Sequence, residues 1–144
     1  MATWQPDLAP LAKRIARIHQ LLKSAADARS ADLGVTPGMR GLMASLADGG
    51  ARTVPDLARE RSFSRQHVQT LANELLAAGL AVARSNPAHR RSPLIALTAE
   101  GARRLRLLQD RETQLLARTA PAVSQADIAA AMRLFDALEH DLGT

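Results

Sequence analysis

TVPDLARERSFSRQHVQTLANELLAAGLAVARSNPAHRRSPLIALTAEGARRL, residues 53–105, decides the fold. Val54-Pro55-Asp56 opens a short helix through Leu57 and Ala58 to about Arg61, since proline is tolerated in a first turn whose amides are unpaired. Phe63-Ser64 ends the turn that follows, and Ser64 is placed to cap a second helix from Arg65 to Ala78. On that helix Val68, Leu71, Leu75 and Ala78 fall on one side, while Arg65, Gln66, His67, Gln69, Thr70 and Asn73 fall largely on the other. The second face is long in hydrogen-bonding groups and short in carboxylates. Gly79 ends the helix, Leu80 to Arg84 is short and extended in character, Ser85 to Pro93 is turn-rich, and Leu94 to Leu97 returns as a second strand. Two strands joined by a basic loop directly after a helix make a wing.

Upstream, Thr36-Pro37 reads as an N-cap followed by proline at the first helical position, with Met39, Leu42, Met43 and Leu46 as the buried face and Asp48-Gly49-Gly50 as the stop. Before it, Leu8, Leu11, Ile15, Ile18, Leu22 and Ala25 form one apolar stripe on a helix from Leu8 to about Arg29. Two readings of that stripe stand: packing against a helix of a second chain, or against the core of its own domain. Downstream, Thr98 caps a long helix from Ala99 to about Arg118, and Thr119-Ala120-Pro121 interrupts it. Ser124 starts a last helix with Ile128, Ala131, Met132, Phe135, Leu138 and Leu142 on one stripe. The fold expected is mainly α with a small β-wing. A winged helix-turn-helix core at about residues 36–98 is joined to N- and C-terminal dimerisation helices at about 8–29 and 99–142.

With 144 residues and a 47% hydrophobic fraction, the chain fits one folded domain. It has no cysteine, which removes disulfides, thiolate metal sites and thiol chemistry. The four histidines, His19, His67, His89 and His140, have no metal-ligand spacing on one helix, and there is no glycine-rich phosphate loop or nucleophile elbow. No enzyme activity, cofactor or metal is expected. No apolar run approaches the roughly 20 residues of a membrane span, and the start MATWQPDLAP lacks a basic region followed by a hydrophobic stretch. The expectation is a cytoplasmic protein with no membrane partner.

The formal net charge is +5, and its distribution says more than its size. Residues 51–108 hold ten arginines against four carboxylates, a surplus of six, which leaves the rest of the chain with one net negative charge. A near-neutral frame with a basic middle suits a module that grips phosphates. A helix can enter the major groove, where base edges display sequence-specific donors and acceptors. Arg65 can bond guanine bidentately, Gln66 or Gln69 can pair with adenine, and Thr70 can meet a phosphate or a thymine methyl. His67 and Asn73 complete that face. Arg90 and Arg91 at the wing tip suit a narrow minor groove, and Arg84 at its base suits a phosphate.

The same stretch resembles the winged-helix core of the multiple antibiotic resistance regulator (MarR) family, above all in Leu97-Thr98-Ala99-Glu100-Gly101 after the wing. The resemblance covers about Thr36 to Leu105, and the flanking helices agree with that family's terminal dimerisation helices. It implies that Arg65 to Asn73 is the recognition helix and that Arg91 is the wing arginine. It also implies a DNA-binding transcriptional repressor acting as an obligate homodimer on palindromic operators, often released by small aromatic or phenolic ligands. Such a ligand would sit between the dimer helices and the winged core, where Trp4, Arg14, His19 and Arg40 are candidate linings; ordinary surface or packing roles are the alternative for all four.

One departure stands out. The family's wing usually carries aspartates near the positions of Asn86 and His89, so the acidic partner of the wing arginine is missing, and Arg90 shares or replaces the role of Arg91 as a second possibility. His89 makes the wing charge depend on pH in one reading and is simply exposed in the other. The rival function is a winged-helix protein-interaction module without sequence-specific DNA binding. RNA is a lesser rival, because the sheet lacks aromatics to stack on bases.

Overall fold

A computed structural model describes residues 7–119 and 121–143. The chain forms two compact units, Met1–Arg111 and Glu112–Thr144. In chain order come α1 (Ala9–Ser30), a 3-10 turn (Ala31–Leu33), α2 (Pro37–Gly49), α3 (Val54–Arg61), α4 (Arg65–Ala77), β1 (Ala81–Arg84), β2 (Leu94–Leu97), α5 (Ala99–Thr119) and α6 (Gln125–Leu142). The fold is therefore mainly helical with one small antiparallel sheet, as the periodicities predict. The register pairs Ala81 with Leu97 and Arg84 with Leu94. Among the described residues no helix is long and apolar enough to cross a membrane.

Most of the helices begin on hydroxyl caps. The side-chain oxygens of Thr36, Thr53, Ser64 and Ser124 each accept from the amide three residues on, replacing a bond the first turn cannot make internally. Thr98 plays the same part for α5, accepting from Gly101 N at 3.0 Å. The helix-turn-helix is closed by Ser62, a non-glycine residue at φ 53°, which lets the Phe63 amide reach the Ala58 carbonyl at 3.0 Å. At the far end of α4, Gly79 turns left-handed at φ 70°, and the amides of Gly79 and Leu80 return to Leu76 O and Leu75 O. This paired return is a Schellman closure, and it ends α4 at Ala77, leaving Ala78 exposed at the C-cap rather than on the buried face.

Within the first unit, Leu42 and Met43 of α2, Leu57 of α3, Val68 and Leu75 of α4, Leu80, and Ile95 of β2 are fully buried in one cluster. Leu105 and Leu108 of α5 join it. The backbone of Arg52 pairs with Ile95 through bonds of 3.0 and 2.8 Å, adding an isolated bridge to the outer side of β2. The start of α5 is fixed against the end of α4: Thr98 N donates to Leu80 O at 3.1 Å and Thr98 Oγ1 to Gly79 O at 2.8 Å. Gly101 lies so close to the Leu80 carbonyl that a Cβ there would collide with it.

Glu100 is gripped by Arg103 and Arg104 at 2.7 to 2.8 Å, and Arg104 also donates to Leu33 O at 2.7 Å. Further along α5, Arg111 holds both oxygens of Asp32 and the Arg29 carbonyl. The two arginines staple α5 to the connection between α1 and α2. In the second unit, α6 starts on a capping box between Ser124 and Asp127 and buries none of its residues.

Two outcomes are expected. Gly101→Ala forces backbone apart and should lower stability by about 3 kcal/mol in urea unfolding. Hydrogen bonds from Arg103 and then Arg104 pull the Glu100 carboxyl from 4.5 to about 2. A depressed carboxyl contributes stability that is complete above its unfolded value and is lost as pH falls from about 4.5 towards 2. Urea midpoints measured across that window should therefore fall less steeply for Glu100→Gln than for the wild type.

Candidate nucleic-acid interface

Ser64 fixes where the polar helix begins. Its backbone is extended, and its hydroxyl accepts from His67 N at 3.1 Å. With Val68, Leu71, Ala72 and Leu75 turned into the core, Arg65, Gln66, His67, Gln69, Thr70 and Asn73 are all exposed on the remaining surface of α4. Gln69 donates from Nε2 to Asn73 Oδ1 at 2.9 Å. One amide hydrogen and the Oε1 acceptor of Gln69 stay available, the pair that an adenine edge requires. Thr70 directs its hydroxyl to Gln66 O at 3.0 Å, which leaves its methyl group and lone pairs for a partner.

The wing owes its shape to Asn86, which is buried. Its Oδ1 accepts from Ala88 N at 3.1 Å, its Nδ2 donates to Ser92 O at 2.9 Å, and its own carbonyl accepts from His89 N at 3.2 Å. A second turn, closed by Ser92 N on His89 O at 3.0 Å, puts Arg90 and Arg91 at its two central positions. Both arginines are exposed, as are Arg84 and His89. The wing and α4 meet at a notch of about 110 Å³, where Gln69 and Arg91 share the lining with Pro55, Ser92 and Pro93.

The ten arginines of residues 51–108 divide cleanly. Arg52 pairs with Glu60 and donates to Ser45 O, Arg59 pairs with Asp56, and Arg103 and Arg104 pair with Glu100. Arg61 donates to Gly41 O at 2.8 Å and Ser45 Oγ at 3.2 Å and stacks on Phe63. Among the described residues Arg65, Arg84, Arg90, Arg91 and Arg106 carry no intramolecular partner. The basic surplus thus resolves into guanidinium groups that hold the fold and groups left facing water, and four of the free five belong to α4 and the wing.

Of the ligand-lining candidates, Trp4 lies outside the described residues. Arg14 and His19 are exposed on α1, five positions apart and so about 140° apart around its axis. Arg40 is half-buried on α2. Sequence reading missed three contributors: Asn86 as the organiser of the wing, Thr53 as the cap of α3, and Arg61 as a clamp between α3 and α2. Thr53 carried a visible signal, a hydroxyl three residues ahead of Asp56.

The sequence profile described as the MarR family matches residues 33–92. An uncharacterised protein of Mycobacterium tuberculosis, Rv2011c, is 36% identical over 124 residues, 86% of either chain, and Mb2034c of Mycobacterium bovis matches to the same extent. Among solved structures, a MarR family transcription regulator, SP03579, superposes with a TM-score of 0.86 at 24% identity, covering 94% of this chain and 90% of its own. A MarR family protein from Bacillus stearothermophilus gives 0.86 at 19% identity over 99% and 100%, and apo MarR from E. coli gives 0.76 at 17% over 94% and 98%. With the winged-helix core, the hydroxyl-capped α4 and the Leu97-Thr98-Ala99-Glu100-Gly101 junction all in place, the chain belongs to the MarR family and has the fold of its transcription regulators.

Proposed function

We propose that this protein is a non-enzymatic, cytoplasmic transcriptional repressor that reads double-stranded DNA as a homodimer on a palindromic operator. The observation that carries this reading is the coincidence of two sets on one surface: the exposed polar face of Arg65 to Asn73, and wing arginines with no intramolecular partner. In this reading Arg65, Gln66, Gln69 and Asn73 meet base edges, Ser64, His67 and Thr70 flank them, Arg84 meets a phosphate, and Arg90 with Arg91 lies along the minor groove.

Residues 36–98 serve as the DNA-binding core, with 8–29 and 99–142 as the dimerisation region. Two features support the second copy. α6 buries no residue, and Ile128 and Met132 are more than half exposed, as are Ile18 and Leu21 on α1. Two winged helices related by a twofold axis can address half-sites one helical turn, about 34 Å, apart. A small aromatic or phenolic effector, with Trp4, Arg14, His19 and Arg40 as its candidate contacts, would release the DNA by binding better to a second dimer geometry.

Duplexes selected from genomic fragments by the purified protein provide the test, read by fluorescence anisotropy at several salt concentrations. Affinity should fall steeply with salt, and Arg84→Ala should lower the slope of log K against log salt by about 1. Gln69→Ala should change sequence preference more than salt dependence. If neither variant alters duplex binding, the reading surface is wrongly assigned; a shallow salt response with no preferred duplex would favour the protein-interaction module instead. Asn86→Ala leaves Ser92 O and Ala88 N without their side-chain partner, so it should weaken duplex binding about tenfold through a looser wing while the thermal midpoint changes little.

A further inference from the structure

Phe63 sits immediately before the Ser64 cap and is 43% exposed, an apolar ring beside an otherwise polar reading face. It is also held. The Arg61 guanidinium carbon lies 5.4 Å from the ring centroid, and the imidazole of His67 meets the ring nearly perpendicularly, at 83° with centroids 5.1 Å apart. Arg61 is itself anchored to Gly41 O and Ser45 Oγ of α2. The ring is thus braced from the helix-turn-helix core on one side and from the recognition helix on the other. An aromatic side chain fixed in this way presents apolar area with little entropy left to lose on contact.

The ring is braced on two contacts and left open. The chemistry of a duplex narrows what it can meet. Phosphates and sugar oxygens offer an apolar ring nothing, and the most prominent apolar group that base edges display in the major groove is the C5-methyl of thymine. The ring stands just before the cap of the helix that carries Arg65 and Gln66 and touches His67 of its first turn, so it lies at the N-terminal end of the reading face proposed above. We propose that Phe63 is a specificity-determining residue that recognises a thymine methyl in each half-site. The proposal rests on the duplex-reading function above and adds an apolar contact to its polar code.

The test replaces each thymine of the selected duplex with deoxyuridine, which removes only the methyl group. One thymine position per half-site should stand out. Its replacement should weaken the wild type about fourfold, and about fifteenfold when both half-sites are changed, as expected for one buried methyl per site. Phe63→Ala should bind thymine and deoxyuridine duplexes alike at that position.

A second measurement leaves the protein unaltered, so a poorly folding variant does not decide the matter. With 5-iodouracil at the sensitive thymine, irradiation should cross-link the wild-type protein, and peptide mapping should place the link at Phe63. Unchanged deoxyuridine sensitivity in a folded Phe63→Ala, no sensitive thymine in the wild type, or a cross-link mapped elsewhere would overturn the assignment. A wild type that selects no duplex at all would instead bring down the DNA-reading function itself, and the Phe63 contact with it.

Discussion

The carbonyl groups at the end of α4 hold the winged core together. Gly79 and Leu80 leave the helix with their amides turned back into it, and their carbonyls face outward to receive Thr98 through its backbone amide and its hydroxyl. Thr98 closes β2 and opens α5, so one residue joins α4, the wing and the long helix. The absence of a side chain at Gly101 lets α5 come down on Leu80 O without a gap. Leu80, Ile95 and Leu105 are buried around this junction. The direction of α4 and the base of the wing are consequently set by the same few atoms, which is a requirement for any surface composed of both.

Charge in this protein does two kinds of work. Arg52, Arg61, Arg104 and Arg111 direct guanidinium hydrogens at backbone carbonyls of other segments, where a planar fork can satisfy an acceptor that no amide reaches. These contacts position α2, α3 and α5 more than they add net stability, since part-exposed ion pairs contribute little. Arg65 of α4 and the wing arginines are the opposite case. They are exposed and, among the described residues, unpaired, so an outside partner would meet them with no internal bond to be broken.

Much of this was legible in the residues because helix ends are local events. Thr36, Ser64, Thr98 and Ser124 could be recognised as caps from a hydroxyl ahead of an apolar period, and glycine after α4 signalled its stop. The polar face of Arg65 to Asn73 followed from helical spacing alone, and all six of its residues are exposed. Non-local pairings left no such trace. Nothing in the spacing shows that Arg52 and Arg61 turn inward while Arg84 and Arg91 turn out, because each choice depends on a carbonyl or carboxylate from another segment. Asn86 was readable only as a missing aspartate. In the fold its amide uses both ends, accepting from Ala88 and donating to Ser92, and an aspartate has no hydrogen for the second bond.

Arg52 gives the wing a mechanical connection to the interior. Its backbone is zipped to Ile95 in β2, while its guanidinium grips the Ser45 carbonyl of α2 and the Glu60 carboxylate of α3. A sideways pull on β2 is therefore delivered to two helices at a single residue. The wing behaves less like a free flap than like the handle of a short lever whose pivot lies within the helical core.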